Sequence, residues 1–150
     1  MVRTFEGIRI FALNSSRFNR GSAITIPGIG IFVGLRQINN INLLRHEFGH
    51  ILQCRQKGFL FFWFRVAPAS LLSALKTSIN KKHIHMHIWT EWSANRLSYD
   101  YFGQPGDWDA IRFPLQSPEW TFYLGKQTKF MYYFIEYNLI LFVLIGTIWF

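Results

Sequence analysis

The sequence predicts an α+β domain, mainly helical, with a short β-hairpin or edge strand before a central helix and an apolar helix at the C-terminal end. Three observations predict it. Residues 22–34, SAITIPGIGIFVG, are β-branched and glycine-rich, with Pro27-Gly28 as a break. Residues 43–57, LLRHEFGHILQCRQK, carry apolar residues at helical spacing and no proline. Residues 130–150, FMYYFIEYNLILFVLIGTIWF, lack Lys and Arg, and Glu136 is their only charge. A chain of 150 residues holds one core. The division expected is therefore a domain over residues 1–129 followed by an apolar segment over 130–150.

Each element follows from local chemistry. Ile8, Ile10 and Ala12 alternate with Arg9 and Phe11, which suggests a short strand or entry segment. The 22–34 stretch reads as a hairpin or bent strand, with pieces 23–26 and 29–33. Pro27 confines the first piece to a sheet edge or a strand end. Asn39 and Asn40 are N-cap residues for the central helix, and Gly58 is placed to stop it. Leu44, Phe48, Ile51 and Leu52 form its core-facing stripe. Residues 58–75, GFLFFWFRVAPASLLSAL, have Arg65 as their only charge and Pro68 as a break. They read as a buried turn or strand followed by a helix from Pro68 to about Asn80, or as a hairpin dipping into a membrane interface. His83, His85 and His87 alternate, so a strand would point all three to one side. Residues 88–102, IWTEWSANRLSYDYF, fit a helix capped at or near Thr90, with Glu91 and Asn95 on one face. Residues 103–118 contain three prolines and two glycines and read as a surface loop, pinned by Trp108, Phe113 and Trp120.

Composition narrows the class. Hydrophobic residues make up 50% of the chain, aromatics 19%, and mean hydropathy is +0.11, values that point toward a membrane surface or span. The net charge of +8 is dispersed, with no basic run longer than Lys81-Lys82. No nucleic-acid-binding motif accompanies it, so no nucleic-acid partner is expected. Cys54 is the only cysteine, so an intrachain disulfide is impossible and stability must come from packing or metal. Near the N-terminus the longest apolar run, residues 10–13, is shorter than a signal-peptide core, and no cleaved leader is expected. Lys126 and Lys129 precede the apolar tail as they would at a cytoplasmic boundary. A single C-terminal span with the domain on the cytoplasmic side is expected; the alternatives are a tail buried in the core and a soluble cytoplasmic protein. No feature of the sequence specifies an oligomeric state.

The centre of the chemistry is His46-Glu47-Phe48-Gly49-His50. Histidines four apart on a helix stack on one face, so both imidazoles reach one tetrahedral ion, usually a single Zn2+. Glu47 lies about 100° round the helix, beside the metal, where it can take a proton from water that the metal activates. The histidines run along a stripe bordering the apolar one, so the site lies at the edge of the core. Cys54, one turn beyond His50, reads as a buried small residue and not a ligand. A third protein ligand is needed. A histidine six residues past His50 is absent, which excludes the metzincin pattern. Downstream, Glu91 is followed by Ala94 and Asn95.

At these residues the sequence resembles the gluzincin metallopeptidases, in which HExxH is completed by a glutamate on an ExxA(D/N)-like helix. The resemblance implies a zincin-like minimal metallopeptidase domain with ligands His46, His50 and Glu91 and with Glu47 as general base. It implies that Ala94 lets two helices approach, and that Asn95 orients a zinc-binding histidine. Together, SAITIPGIGIFVG, HEFGHILQ, the proline before a Ser/Ala/Leu helix and TEWSANRLSYDYF resemble small bacterial HExxH proteins related to C-terminal segments of Rhs/YD-repeat toxin-like proteins. That likeness covers about residues 20–103. His87 and Tyr99 are candidates to support the site or bind the oxyanion, as is Tyr101; aromatic-rich chains more often use such tyrosines in the core. The histidine triplet also offers a rival third ligand or an accessory metal site. The activity expected is zinc-dependent hydrolysis of a peptide or protein substrate, with the 24–33 segment as an edge strand for it. The alternatives are a toxin-like effector peptidase of the same chemistry and a non-catalytic structural zinc domain at a membrane.

Overall fold

The computed structural model describes residues 3–80 and 82–117, all within one unit, Met1–Ser117. The expected boundary at 129/130, the apolar tail at 130–150 and Trp120 lie outside the described residues. The fold is α+β with a small mixed sheet. β1 (Thr4–Phe5) and β2 (Ile8–Leu13) pair antiparallel through a two-residue turn, Glu6-Gly7, with both residues at positive φ. That geometry matches the right-handed twist of the flanking strands. A short helix, α1 (Ser16–Asn19), leads to β3 (Ala23–Ile26), which forms the expected hairpin with β4 (Gly30–Gly34). The strand order is β1-β2-β4-β3, with β2 and β4 parallel from Ile10↔Ile31 to Leu13↔Gly34. β3 is an edge strand, and Pro27 falls just past its end, both within the expectation of an edge or a strand end.

Alternation along the strands divides the two faces. Ile10, Ile31 and Val33 are buried against Leu43, Leu44 and Phe113, while Phe11 and Phe32 stack on each other with ring centroids 4.7 Å apart. The helix over the first face is α2 (Ile41–Lys57). The Asn40 side chain accepts from the Leu43 amide at 3.2 Å, and Gly58, at φ 89°, ends the helix. Leu44, Phe48 and Ile51 are buried as expected; Leu52 is only half-buried, because α2 turns that position toward solvent. Cys54 is also half-buried and not buried.

The segment after Gly58 departs from expectation. It is helical from the start: α3 (Phe59–Phe61), a π-helical turn (Phe62–Val66) and α4 (Ala67–Ile79) form one helix, Phe59–Ile79, in place of a turn, strand or hairpin. The Ala67 amide bonds the Phe62 carbonyl, five residues back. A turn widened in this way relieves the clash that a proline ring makes with the preceding turn, so Pro68 sits inside a continuous helix. Among the described residues this is the one helix long and apolar enough to cross a membrane by length and composition, although little of it is buried.

The histidine triplet is also not a strand. Residues His85–His87 form a 3-10 turn, so the side chains diverge: His83 Nε2 lies 2.7 Å from Ser73 Oγ, while His85 turns toward α5 (Trp89–Tyr101). Ile88, not Thr90, occupies the N-cap of α5, with no side-chain cap; Thr90 sits inside the first turn with its hydroxyl on Glu91. The 103–117 loop is pinned by Trp108, whose indole donates to the Phe113 carbonyl at 2.9 Å, and by the buried Phe113.

Candidate metal centre

α2 and α5 cross at their smallest residues. A Cβ built on Gly49 would overlap the Ala94 carbonyl group, so the third residue between the histidine pair has to be glycine for the helices to lie this close. Ser98 ties the same crossing from below by donating to the Arg45 carbonyl. This contact sets Glu91 opposite the two histidines. All three side chains are buried, at 2%, 7% and 1% exposure for His46, His50 and Glu91.

The donor atoms converge. His46 Nε2 and His50 Nε2 each lie 3.4 Å from Glu91 Oε2, and the three ligand atoms fall within 4.8 Å of one another. Donors about 2.0–2.1 Å from a tetrahedral zinc ion are separated by roughly 3.3–3.4 Å, so the histidine–glutamate spacing suits an ion of that size. This buried His46–His50–Glu91 group can hold a metal ion.

The other ring nitrogens are held by amides. His46 Nδ1 lies 2.6 Å from Asn95 Oδ1, and His50 Nδ1 lies 2.8 Å from Gln53 Oε1. Neither amide is free to flip. Asn95 Nδ2 donates to the Pro114 carbonyl at 2.9 Å, and Gln53 Nε2 donates to the Thr90 carbonyl and to Ser93 Oγ at 2.6 and 2.7 Å. With oxygen facing each ring, both Nδ1 atoms carry a proton, which leaves each Nε2 as the nitrogen that faces the metal position. On the glutamate, Thr90 Oγ1 donates to Oε1 at 3.0 Å and leaves Oε2 for the ion.

The electrostatics agree. Burial lowers the His50 pKa, but the charge and hydrogen bond of Glu91, with help from Glu47 and Gln53, outweigh it and raise it to about 9. For Glu91 burial acts upward, and the His50 charge with hydrogen bonds from both histidines overrides it, holding the carboxyl well below its ordinary range. A buried carboxylate thus retains a proton on its neighbour until a cation replaces it. Glu47, 3% exposed, stands beside this group with Oε1 3.9 Å from His46 Nε2. Thr25 Oγ1 on edge strand β3 lies 2.7 Å from Glu47 Oε2 and 3.0 Å from the Glu47 backbone carbonyl oxygen, and the carboxylate, at the shorter distance, is the stronger acceptor for the one hydroxyl proton.

The structure thus brings together His46, His50, Glu91, Glu47 and Asn95. It does not bring in Tyr99, which packs edge-on against Trp108 at 5.5 Å, or Tyr101, which is exposed and donates to Glu6. No described contact joins the His87 side chain to the cluster. His85 stands there instead, with Nε2 3.5 Å from Glu91 Oε2 and a buried Nδ1 that has no partner among the described residues. Burial lowers the His85 pKa, and the crowding of His46 and His50 adds to it against the pull of Glu91. Thr25, Gln53 and Thr90 are the site residues that sequence reasoning missed. Gln53 had a readable signal, being three residues past His50 on the same helical face; Thr25 had none. The surface depressions near Gly7 and Gly28 and near Leu52 and Tyr101, of about 360 and 390 Å³, are not lined by the cluster. Comparison of the chain with protein-family models, curated proteins and solved structures returns no significant match.

Proposed function

We propose that this chain is a zinc-dependent peptide-bond hydrolase of gluzincin type, with His46, His50 and Glu91 as ligands and Glu47 as general base. The observation that carries the reading is the pairing of a buried donor triad with a buried carboxylate that is not part of it and is separately held. A zinc ion held by His46, His50 and Glu91 would supply Lewis acidity, lowering the pKa of water and polarising the scissile carbonyl. Glu47 accepts the proton of the attacking water and returns it to the leaving amine. Thr25 holds Oε2 of Glu47, which leaves Oε1, the oxygen nearer His46, for that proton. The outer edge of β3 pairs with no described strand, and an extended substrate adding there would run alongside Thr25 and so past Glu47. Asn95 and Gln53 fix both ligand histidines in one tautomer, so no reorganisation precedes reaction.

A second reading has one observation in its favour. His85 Nε2, 3.5 Å from Glu91 Oε2, is near enough to supply a fourth protein ligand after a small rotation. Four protein ligands close a zinc site and make it structural. One experiment separates the two: the zinc-loaded protein and its Glu47→Gln variant are incubated with a mixture of unfolded polypeptides, and new termini are mapped by mass spectrometry. The hydrolase reading expects cleavage by the native chain, and none by a variant that still binds zinc. Cleavage by both, or by neither, overturns it.

A further inference from the structure

We propose that the outward face of the Phe59–Ile79 helix lies flat in the headgroup region of an anionic lipid bilayer, so that the domain docks on a membrane by this side. The face is a continuous stripe at helical spacing, Leu60, Phe64, Leu71, Leu72, Leu75 and Ile79, each between 49% and 88% exposed. A contiguous exposed apolar stripe along a helix of 21 residues, about 31 Å, marks an interaction surface. Exposed Phe59 and Phe61 extend its apolar face, and exposed Trp89 adds an indole of the kind that favours the membrane–water boundary.

The opposite face decides the orientation. Phe62 and Val66 are buried against the domain, the Phe62 ring meets His50 edge-on at 6.5 Å, and Ser73 is bonded to His83. Crossing the bilayer would pull all of these into lipid and strip the packing from a ligand histidine. Lying in the interface leaves them in place. The helix is therefore long and apolar enough to span a bilayer, while its packing suits an in-plane seat.

Charge decides the partner. Between Glu47 and Glu91 there is no acidic residue, and the stretch holds six Lys and Arg: Arg55, Lys57, Arg65, Lys76, Lys81 and Lys82. The rest of the chain has ten Lys and Arg against eight Asp and Glu, so most of the net charge of +8 lies in and around this helix. An apolar helix whose sequence neighbourhood, residues 48–90, carries cations and no acidic residue complements anionic headgroups. A second copy of the chain would bring like charge against like charge. The docking stands apart from the hydrolase reading; if both hold, the metal site faces substrates close to the membrane surface.

The test uses the full chain with Cys54→Ser and one new cysteine, Leu72→Cys or Ile79→Cys, carrying an environment-sensitive fluorophore. Ala110→Cys is the control, in the loop that binds the far end of α2 through Asp107. Vesicles are phosphatidylcholine alone or mixed with phosphatidylglycerol. The expected result is a blue shift and a severalfold intensity rise at positions 72 and 79 with the anionic vesicles only, none at 110, and stronger quenching by a nitroxide near the headgroup than by one at the chain end. A water-like label on both vesicles overturns the proposal, as does an equal response to neutral vesicles. So do stronger chain-end quenching, which means a span, and a label shielded before vesicles are added, which means that a second copy or residues 118–150 cover the face. Zinc content is read on the same samples, so loss of the metal reading is seen separately from loss of docking.

Discussion

Replacing Asn95 with aspartate separates two tasks that the asparagine performs at once. Its Oδ1 faces His46 Nδ1 at 2.6 Å and its Nδ2 donates to the Pro114 carbonyl at 2.9 Å, in a side chain with no exposed surface. Aspartate keeps the first contact and adds a charge to it. Hydrogen bonds to an ionised acceptor are about twice as strong as neutral ones, so the gain on the His46 side is about 1 kcal/mol. That corresponds to metal binding tighter by roughly fivefold. The second contact becomes an oxygen facing an oxygen. A buried acceptor left unmatched costs about 1–3 kcal/mol, and each kcal/mol lowers Tm by roughly 2–4 °C in a chain of this length. The two assays are zinc affinity by competition with a chromophoric chelator and thermal melting followed by circular dichroism after metal removal. Asn95→Asp is expected to bind zinc more tightly and to melt lower without it. If both quantities move in the same sense, or neither moves, the double role assigned to Asn95 is wrong.

Three further outcomes are expected. Gly49→Ala pushes a methyl group into the Ala94 backbone, which cannot swing aside; overpacking of about 2–3 kcal/mol outweighs the roughly 1 kcal/mol gained in helix propensity, and an unchanged denaturant midpoint would mean that the helices do not approach this closely. Thr25→Val keeps the shape and removes the hydroxyl on Glu47; losing a hydrogen bond to a charged group, about 1.5–3 kcal/mol, is expected to slow hydrolysis roughly 10–100-fold with zinc content unchanged, and equal rates would remove Thr25 as a positioning residue. Burial raises the Cys54 thiol above its ordinary value of 9.0, so less thiolate is present at neutral pH than in a free thiol. Its alkylation rate is expected to keep climbing as pH passes 9, and a plateau below that contradicts the shift.

The legible parts of this molecule are those whose cause is local. Asn40, Gly58 and the apolar stripe bracket α2 because caps and periodicity act within one or two turns. His46 and His50 converge because four residues make about one helical turn, and Glu91 with Asn95 share a face for the same reason. The hairpin around Pro27-Gly28 followed from turn chemistry. What escaped depends on partners distant in the chain. Pro68 reads as a breaker, and only the π-helical turn before it shows how it is carried inside a helix. The alternation of His83, His85 and His87 suits a strand equally well, and no local signal marks the 3-10 turn that sends His85 alone to Glu91. Thr25 is one β-branched residue in a strand until the fold lays it 2.7 Å from a carboxylate 22 positions away. The resemblance implied that Asn95 orients a histidine, and its Oδ1 does face His46 Nδ1; the Pro114 carbonyl, which takes its Nδ2–H, explains why an amide serves there.

In the proposed hydrolase His46, His50 and Glu91 hold one zinc ion and Glu47 does not. The most direct test of this ligand set is the zinc content of the purified chain, measured by elemental mass spectrometry after dialysis, for the native sequence and for His46→Ala, Glu91→Ala and Glu47→Gln. One equivalent is expected in the native chain and in Glu47→Gln, with loss in the other two. A full equivalent retained by Glu91→Ala, or none in the native chain, would contradict it.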